Sequence, residues 1–253
     1  MPIPMLADFA VRLACGLAIL LLLSPWRAVP LAFFRTHGQV ILGLLVLAAL
    51  DLSRVGGRGL LPAVIAGAAL AFAVSVVWGL GLPRLAVPIT ALLAATSGGV
   101  LVAASRAAGW ELWALNASGR LASAFLMGAT LTAMLLGHHY LTAPAMSIEP
   151  LRRFVRCMAW ALGARAILAA LGWWLWHEGM DGSHGPGQVS SFFLAIRWGM
   201  GFAGPALATL LAWETVAIRS TQSATGILYI AMTLVLFGEL TALILSRDAG
   251  IVF

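Results

Sequence analysis

Lysine is absent from this 253-residue chain, cysteine occurs twice, and charged residues of either sign make up only 9% of it. Each scarcity excludes something. Soluble domains carry roughly 25% charged residues, so a chain this poor in charge cannot cover itself with a water-soluble surface. Cys15 and Cys157 both fall inside apolar runs, imply no disulfide framework, and read as small buried apolar residues. With no lysine, all fifteen basic residues are arginine, and the net charge of +6 reads as loop arginines at membrane surfaces. No basic run is interleaved with base-stacking aromatics, so nucleic acid is not an expected partner. Catalytic signatures are missing too. There is no nucleophile elbow, phosphate loop, dinucleotide fingerprint, HExxH, CxxC or CxxCH, so the sequence does not declare an enzyme.

What is present is apolar: 62% hydrophobic residues and a mean hydropathy of +1.00. A run of about 20 apolar residues spans a bilayer as a helix. The expected fold is therefore all-α, a polytopic integral membrane bundle of about eight transmembrane helices, with residues 1–253 forming one transmembrane domain. The spans fall at approximately 6–25, 31–51, 60–81, 85–105, 112–140, 150–176, 189–216 and 223–246. Breaks come at Pro25 to Pro30, at Arg54 to Arg58, at Gly81-Leu-Pro-Arg84, at Arg106 to Gly109 and at the glycine-rich stretch 182–187. Ser147 can cap the sixth helix, with Pro150 in its first turn. Gly201, Gly204 and Pro205 suggest a kink or a close helix contact in the seventh span. Tryptophans 26, 78, 110, 113, 173, 174, 176 and 213 lie near span ends, as an interfacial belt requires. The expected location is a bacterial cytoplasmic membrane. Loop arginines count six against five between the two faces, and the trio Arg152, Arg153 and Arg156 tips the N-terminus outside.

Even alternation of spans sorts the polar residues by face. Let the face where helix 1 ends be the inner one. His37 near the start of helix 2, His138, His139 and Tyr140 at the end of helix 5, and Arg219 after helix 7 all belong there. Histidine, tyrosine and arginine at one interface offer donors and an exchangeable proton to a quinone headgroup. They also offer axial nitrogens to a haem b. Adjacent helical residues point about 100° apart, so His138 and His139 cannot both serve one centre without a partner such as His37. The plainer reading makes them interfacial residues that cap a helix and touch lipid or a partner subunit. His177, Glu178, Asp181 and His184 in the outer loop could in principle hold a metal.

The outer half carries Arg120, Arg197 and Glu239 inside apolar runs. Ionisable side chains within a bilayer are costly and seldom unpaired, so Glu239 is expected to pair with Arg197 or Arg120. That set serves either as a lock between helices or as a proton or anion path.

The segments GHHYLTAPAMSIEPLRR and RSTQSATGILY resemble those of uncharacterised multi-pass bacterial membrane proteins, mainly over residues 112–246. The resemblance implies a similar helical membrane fold and no activity. Three functions follow from the residues. The first is a subunit of a respiratory-type electron-transfer complex, with quinone or haem b near His37, His138, His139, Tyr140 and Arg219, and other membrane subunits as partners. The second is a transporter or proton-conducting protein using Arg120, Arg197 and Glu239. The third is a structural subunit or assembly factor.

Overall fold

The computed structural model describes residues 3–55, 59–105, 109–143, 146–178 and 191–249. Asp181, His184 and the glycines of 182–187 lie outside the described residues. The described chain is helical: α1 Met5–Leu23, α2 Leu31–Arg54, α3 Leu61–Gly79, α4 Pro83–Ala104, α5 Trp110–Thr142, α6 Glu149–His177, α7 Ser191–Trp198, α8 Gly204–Ala217 and α9 Thr221–Ala249. A π-helical turn, Gly199–Ala203, joins α7 to α8, so the two form one apolar crossing. Eight crossings are long and apolar enough to span a membrane. The protein is a multi-pass helical bundle.

Proline and glycine set the breaks. Prolines occupy the first turns of α3, α4 and α6, where a missing N–H costs nothing, while Pro205 lies just past the π turn, inside a continuous crossing. Gly81, with φ of 72°, adopts the left-handed conformation that turns α3 tightly into α4. At the other hairpin, between α8 and α9, that conformation falls to Arg219, with φ of 59°. Its N–H bonds the Val216 carbonyl and the next N–H bonds that of Thr215, a helix-closing pattern usually given to glycine. Ser147 lies just ahead of α6, and its hydroxyl accepts the Glu149 N–H at 3.4 Å.

The centre of the bundle is α1, 72% of whose apolar window is buried against 33% for α3 and α4. It packs on α2, α4 and α5, while α5 packs also on α6 and α9. The α1–α5 contact is parallel and backbone-close. A methyl group on Gly16 would lie 1.8 Å from the Ala124 carbonyl oxygen, and one on Gly128 would lie 2.3 Å from the Gly16 carbonyl carbon. Small residues let helices approach this closely where lipid, being as apolar as leucine, supplies no hydrophobic drive between them. The outward faces are as apolar as the core: Phe72, Trp160, Ile167 and Leu210 are all exposed. A bilayer is the environment that tolerates them. The tryptophan belt holds at Trp26, Trp110, Trp113, Trp174 and Trp213. It does not hold at Trp78 or Trp176, which are buried. Trp78 stacks on Phe34 and donates to the Thr90 hydroxyl.

Candidate functional site: a buried ionic cluster

An arginine amid leucines can enter a bundle only if something receives its charge, and a carboxylate on a neighbouring helix is the least costly receiver. Two such centres form here. On α9, eighteen residues past Thr221, Glu239 is enclosed by its neighbours. Arg197 of α7 sends Nη1 to Glu239 Oε1 at 3.0 Å and to the Gly238 carbonyl at 3.1 Å. Arg165 of α6 brings Nε to 3.3 Å from each carboxylate oxygen. The π turn supplies the room. Its Phe202 ring lies 4.0 Å from the Arg197 guanidinium carbon, and a methyl group at Gly201 would fall 2.9 Å from Arg197 Nη1.

The second centre lies one helix over. Asp8 of α1 receives Arg12 Nε at 3.1 Å and Nη2 at 3.0 Å, the two-pronged fork that suits a carboxylate. Arg120 of α5 adds Nη1 to the same carboxylate at 2.7 Å. Arg12 also reaches the Ser123 hydroxyl at 3.3 Å. Both α1 and α5 pack on α9, so the two centres are neighbours and form one cluster. Among the described residues, every buried arginine or carboxylate belongs to one of these two centres.

Its depth follows from helix rise. Arg120 lies ten residues inside the outer end of α5, about 15 Å of helix. Arg165 lies twelve residues from the outer end of α6, about 18 Å, near the middle of a helix that is itself about 43 Å long. The cluster thus runs from the outer half of the bundle toward its middle. Below it the buried side chains are apolar apart from His37, Trp78 and hydroxyls such as those of Thr130, Thr132 and Thr225.

Glu239 pairs with Arg197, one of the two partners expected of it, while Arg120 turns to Asp8. Arg12 and Arg165 join Arg120 and Arg197 as intramembrane groups. Asp8, Arg12 and Arg165 are members that the sequence reading missed. The signal for Arg165 was its place near the middle of an apolar helix. For Asp8 and Arg12 it was the i, i+4 spacing of opposite charges in the first span.

The interfacial histidine set is distributed differently. His37 is buried in α2, with Nδ1 2.8 Å from the Phe33 carbonyl and its ring centre 4.0 Å from that of Phe33. Its Nε2 has no hydrogen-bond partner among the described residues. Because α2 packs on α1 and α3, α1 stands between His37 and the end of α5. His138 is exposed, with Nδ1 3.5 Å from the Tyr229 hydroxyl. Half-buried His139 occupies the last turn of α5, and its carbonyl accepts the Ala143 N–H. Buried Tyr140 donates its hydroxyl to the Ser147 carbonyl, tying the α5–α6 connection to the helix end. Arg219 is exposed. Tyr140 and Arg219 thus have local roles in turns. No group of three or more metal-binding side chains gathers among the described residues.

Comparison with family models, with curated proteins and with solved structures finds no match for this chain.

Proposed function

We propose that this chain is a membrane transport protein whose path runs through Asp8, Arg12, Arg120, Arg165, Arg197 and Glu239. The observation that carries this reading is the concentration of all buried arginine and carboxylate charge among the described residues in one cluster, reaching from the outer half of the bundle to its middle. Charges held inside a bilayer mark substrate or ion pathways more often than they serve stability, because a buried ion pair contributes little net energy. Four of the six groups are arginines, which keep their proton in proteins. A relay needs groups that exchange protons, so the composition favours a solute over a proton wire. The π turn beside Arg197 adds weight, since such turns frequently accompany functional sites.

Orientation follows from the revised arginine count. With Arg12 inside the membrane, the inner connections and helix ends carry Arg27, Arg35, Arg84, Arg152, Arg153, Arg156 and Arg219, against Arg54, Arg58, Arg106 and Arg247 outside. The positive-inside rule then puts the inner face in the cytoplasm and the Asp8–Arg120 end of the cluster toward the outside.

Reconstituted proteoliposomes test the reading. Counterflow of labelled small solutes should occur with the natural chain and stop with Glu239→Gln. Flux unaffected by that substitution sinks it. The electron-transfer reading, with quinone or haem b at His37, His138, His139, Tyr140 and Arg219, draws less from these positions because α1 separates His37 from His138 and His139. A sharp α-band in the dithionite-reduced spectrum would restore it. Stoichiometric co-purification with other membrane chains, without flux, would favour a structural subunit.

A further inference from the structure

The outer centre is unequally shared. Asp8 accepts from three guanidinium nitrogens, two from Arg12 and one from Arg120. Arg12 is committed by that fork and by Ser123. Arg120 is not. Its single hydrogen bond among the described residues runs from Nη1 to Asp8. Its side chain also keeps 18% of its exposure, against 5% for that of Asp8. A guanidinium presents five N–H donors in a rigid planar fork, so the rest of the Arg120 fork faces no protein acceptor among the described residues. Asp8 is shared by two guanidiniums, and the other carboxylate at this end of α1, Asp51 of α2, accepts the Ala7 N–H at 2.9 Å and pairs with neither arginine. A guanidinium that shares one carboxylate with another is incompletely compensated, and an incoming anion relieves it.

We infer that the open edge of Arg120 is the docking point for an oxyanion, a carboxylate or phosphate group that approaches from the outer side. The planar fork matches two oxygens of such a group, as a spherical halide does not. The inference rests on the transport reading and deepens it by naming the substrate class. Once docked, the anion competes with Asp8 for the same guanidiniums and lies at the head of the cluster that leads to Glu239. The oxyanion chemistry could equally be the phosphate of an outer-leaflet lipid, and the test separates the two sources.

The experiment follows thermal unfolding of the purified full chain in neutral detergent. Acetate, inorganic phosphate and chloride are titrated at matched ionic strength. In a second arm, phosphatidylglycerol is compared with phosphatidylcholine in mixed micelles. Acetate or phosphate should raise Tm saturably where chloride does not. Arg120→Gln should shift the half-saturating concentration by about tenfold or more, the loss expected for hydrogen bonds to a charged group. Arg120→Lys, which keeps the charge without the fork, should fall between. Arg54→Gln, at an exposed outer helix end, should leave the response unchanged. A Tm rise with phosphatidylglycerol alone supports the docking point with lipid as its source. No response in either arm, or a response that Arg120→Gln and Arg120→Lys leave intact, overturns the inference. Flux without any oxyanion response would discard the inference and keep transport. An oxyanion response without flux would keep the docking point and discard transport.

Discussion

The backbones of Gly201 and Gly238 touch where the π turn crosses α9: a methyl group at 238 would lie 2.2 Å from the Gly201 Cα. The contact sits beside the Arg197–Glu239 pair, and Gly238 itself gives its carbonyl to Arg197. Gly238→Ala must therefore push the crossing apart and lengthen the ion pair. The expected loss is about 1–3 kcal/mol, the usual cost of overpacking. Gly43→Ala and Gly163→Ala, where an added methyl meets nothing within 4 Å, should be neutral or gain up to about 1 kcal/mol of helix stability. Thermal unfolding of the three variants in detergent makes the comparison. Equal behaviour would remove the glycine contact from the account.

Glu239 separates a lock from a path. Replacing it alone leaves Arg165 and Arg197 without the carboxylate they share, so Glu239→Gln should cost about 3–5 kcal/mol. Replacing the whole triad by apolar residues of similar size, Arg165→Met with Glu239→Leu and Arg197→Met, should recover most of that loss. Flux should stay at background. A triple variant that is stable and still transports would show that the triad is only a lock.

Arg219 shows how a residue singled out for chemistry can have a backbone role. As a non-glycine residue in the left-handed region, it closes α8 under strain. Arg219→Gly should relieve that strain, raising stability by up to about 1 kcal/mol in the folded turn, less the entropy that glycine adds to the unfolded chain. If Arg219 instead held a quinone or haem propionate, the same change would lower cofactor content. A Tm measurement and an absorption spectrum of one preparation decide between these.

The sequence made the crossings legible because apolar runs of bilayer length are punctuated by proline, glycine and arginine. It also marked the seventh crossing as irregular through Gly201, Gly204 and Pro205, where the π turn now lies. Lateral order was not legible. In a soluble bundle the apolar stripe of each helix points at its neighbours, but here Phe72 and Ile167 face outward while Val74 and Ala169 face inward. Hydropathy therefore cannot say which helix stands beside which. For that reason His37 could be assigned to the same face as His138 but not recognised as being on the far side of α1. Half of the ionic cluster was visible, because Arg120, Arg197 and Glu239 interrupt apolar runs. Arg12 read as a loop arginine because it lies only seven residues into α1. Arg165 was overshadowed by the arginine trio that opens the same helix.

The α1–α5 contact gives the sharpest test of whether packing and charge act as one unit. Gly16 lies two turns below Asp8 on α1, against Ala124 and Gly128 of α5. This close approach sets the register in which Asp8 meets Arg120 and Arg12 meets Ser123. Gly16→Ala should destabilise by at least the roughly 1–3 kcal/mol of an overpacked contact. Asp8→Asn should cost a similar amount by weakening the hold on two guanidiniums. If the glycine contact is what delivers the carboxylate to Arg120, the two losses must not add. Once α1 has been pushed off α5, Asp8 has little left to lose. The double variant should then fall short of the sum by about 0.5–3 kcal/mol, the coupling typical of residues in one network. Unfolding of the four members of this cycle, in one detergent at one salt concentration, yields that number. Losses that add to within a few tenths of a kcal/mol would mean that the ionic centre forms independently of the helix crossing.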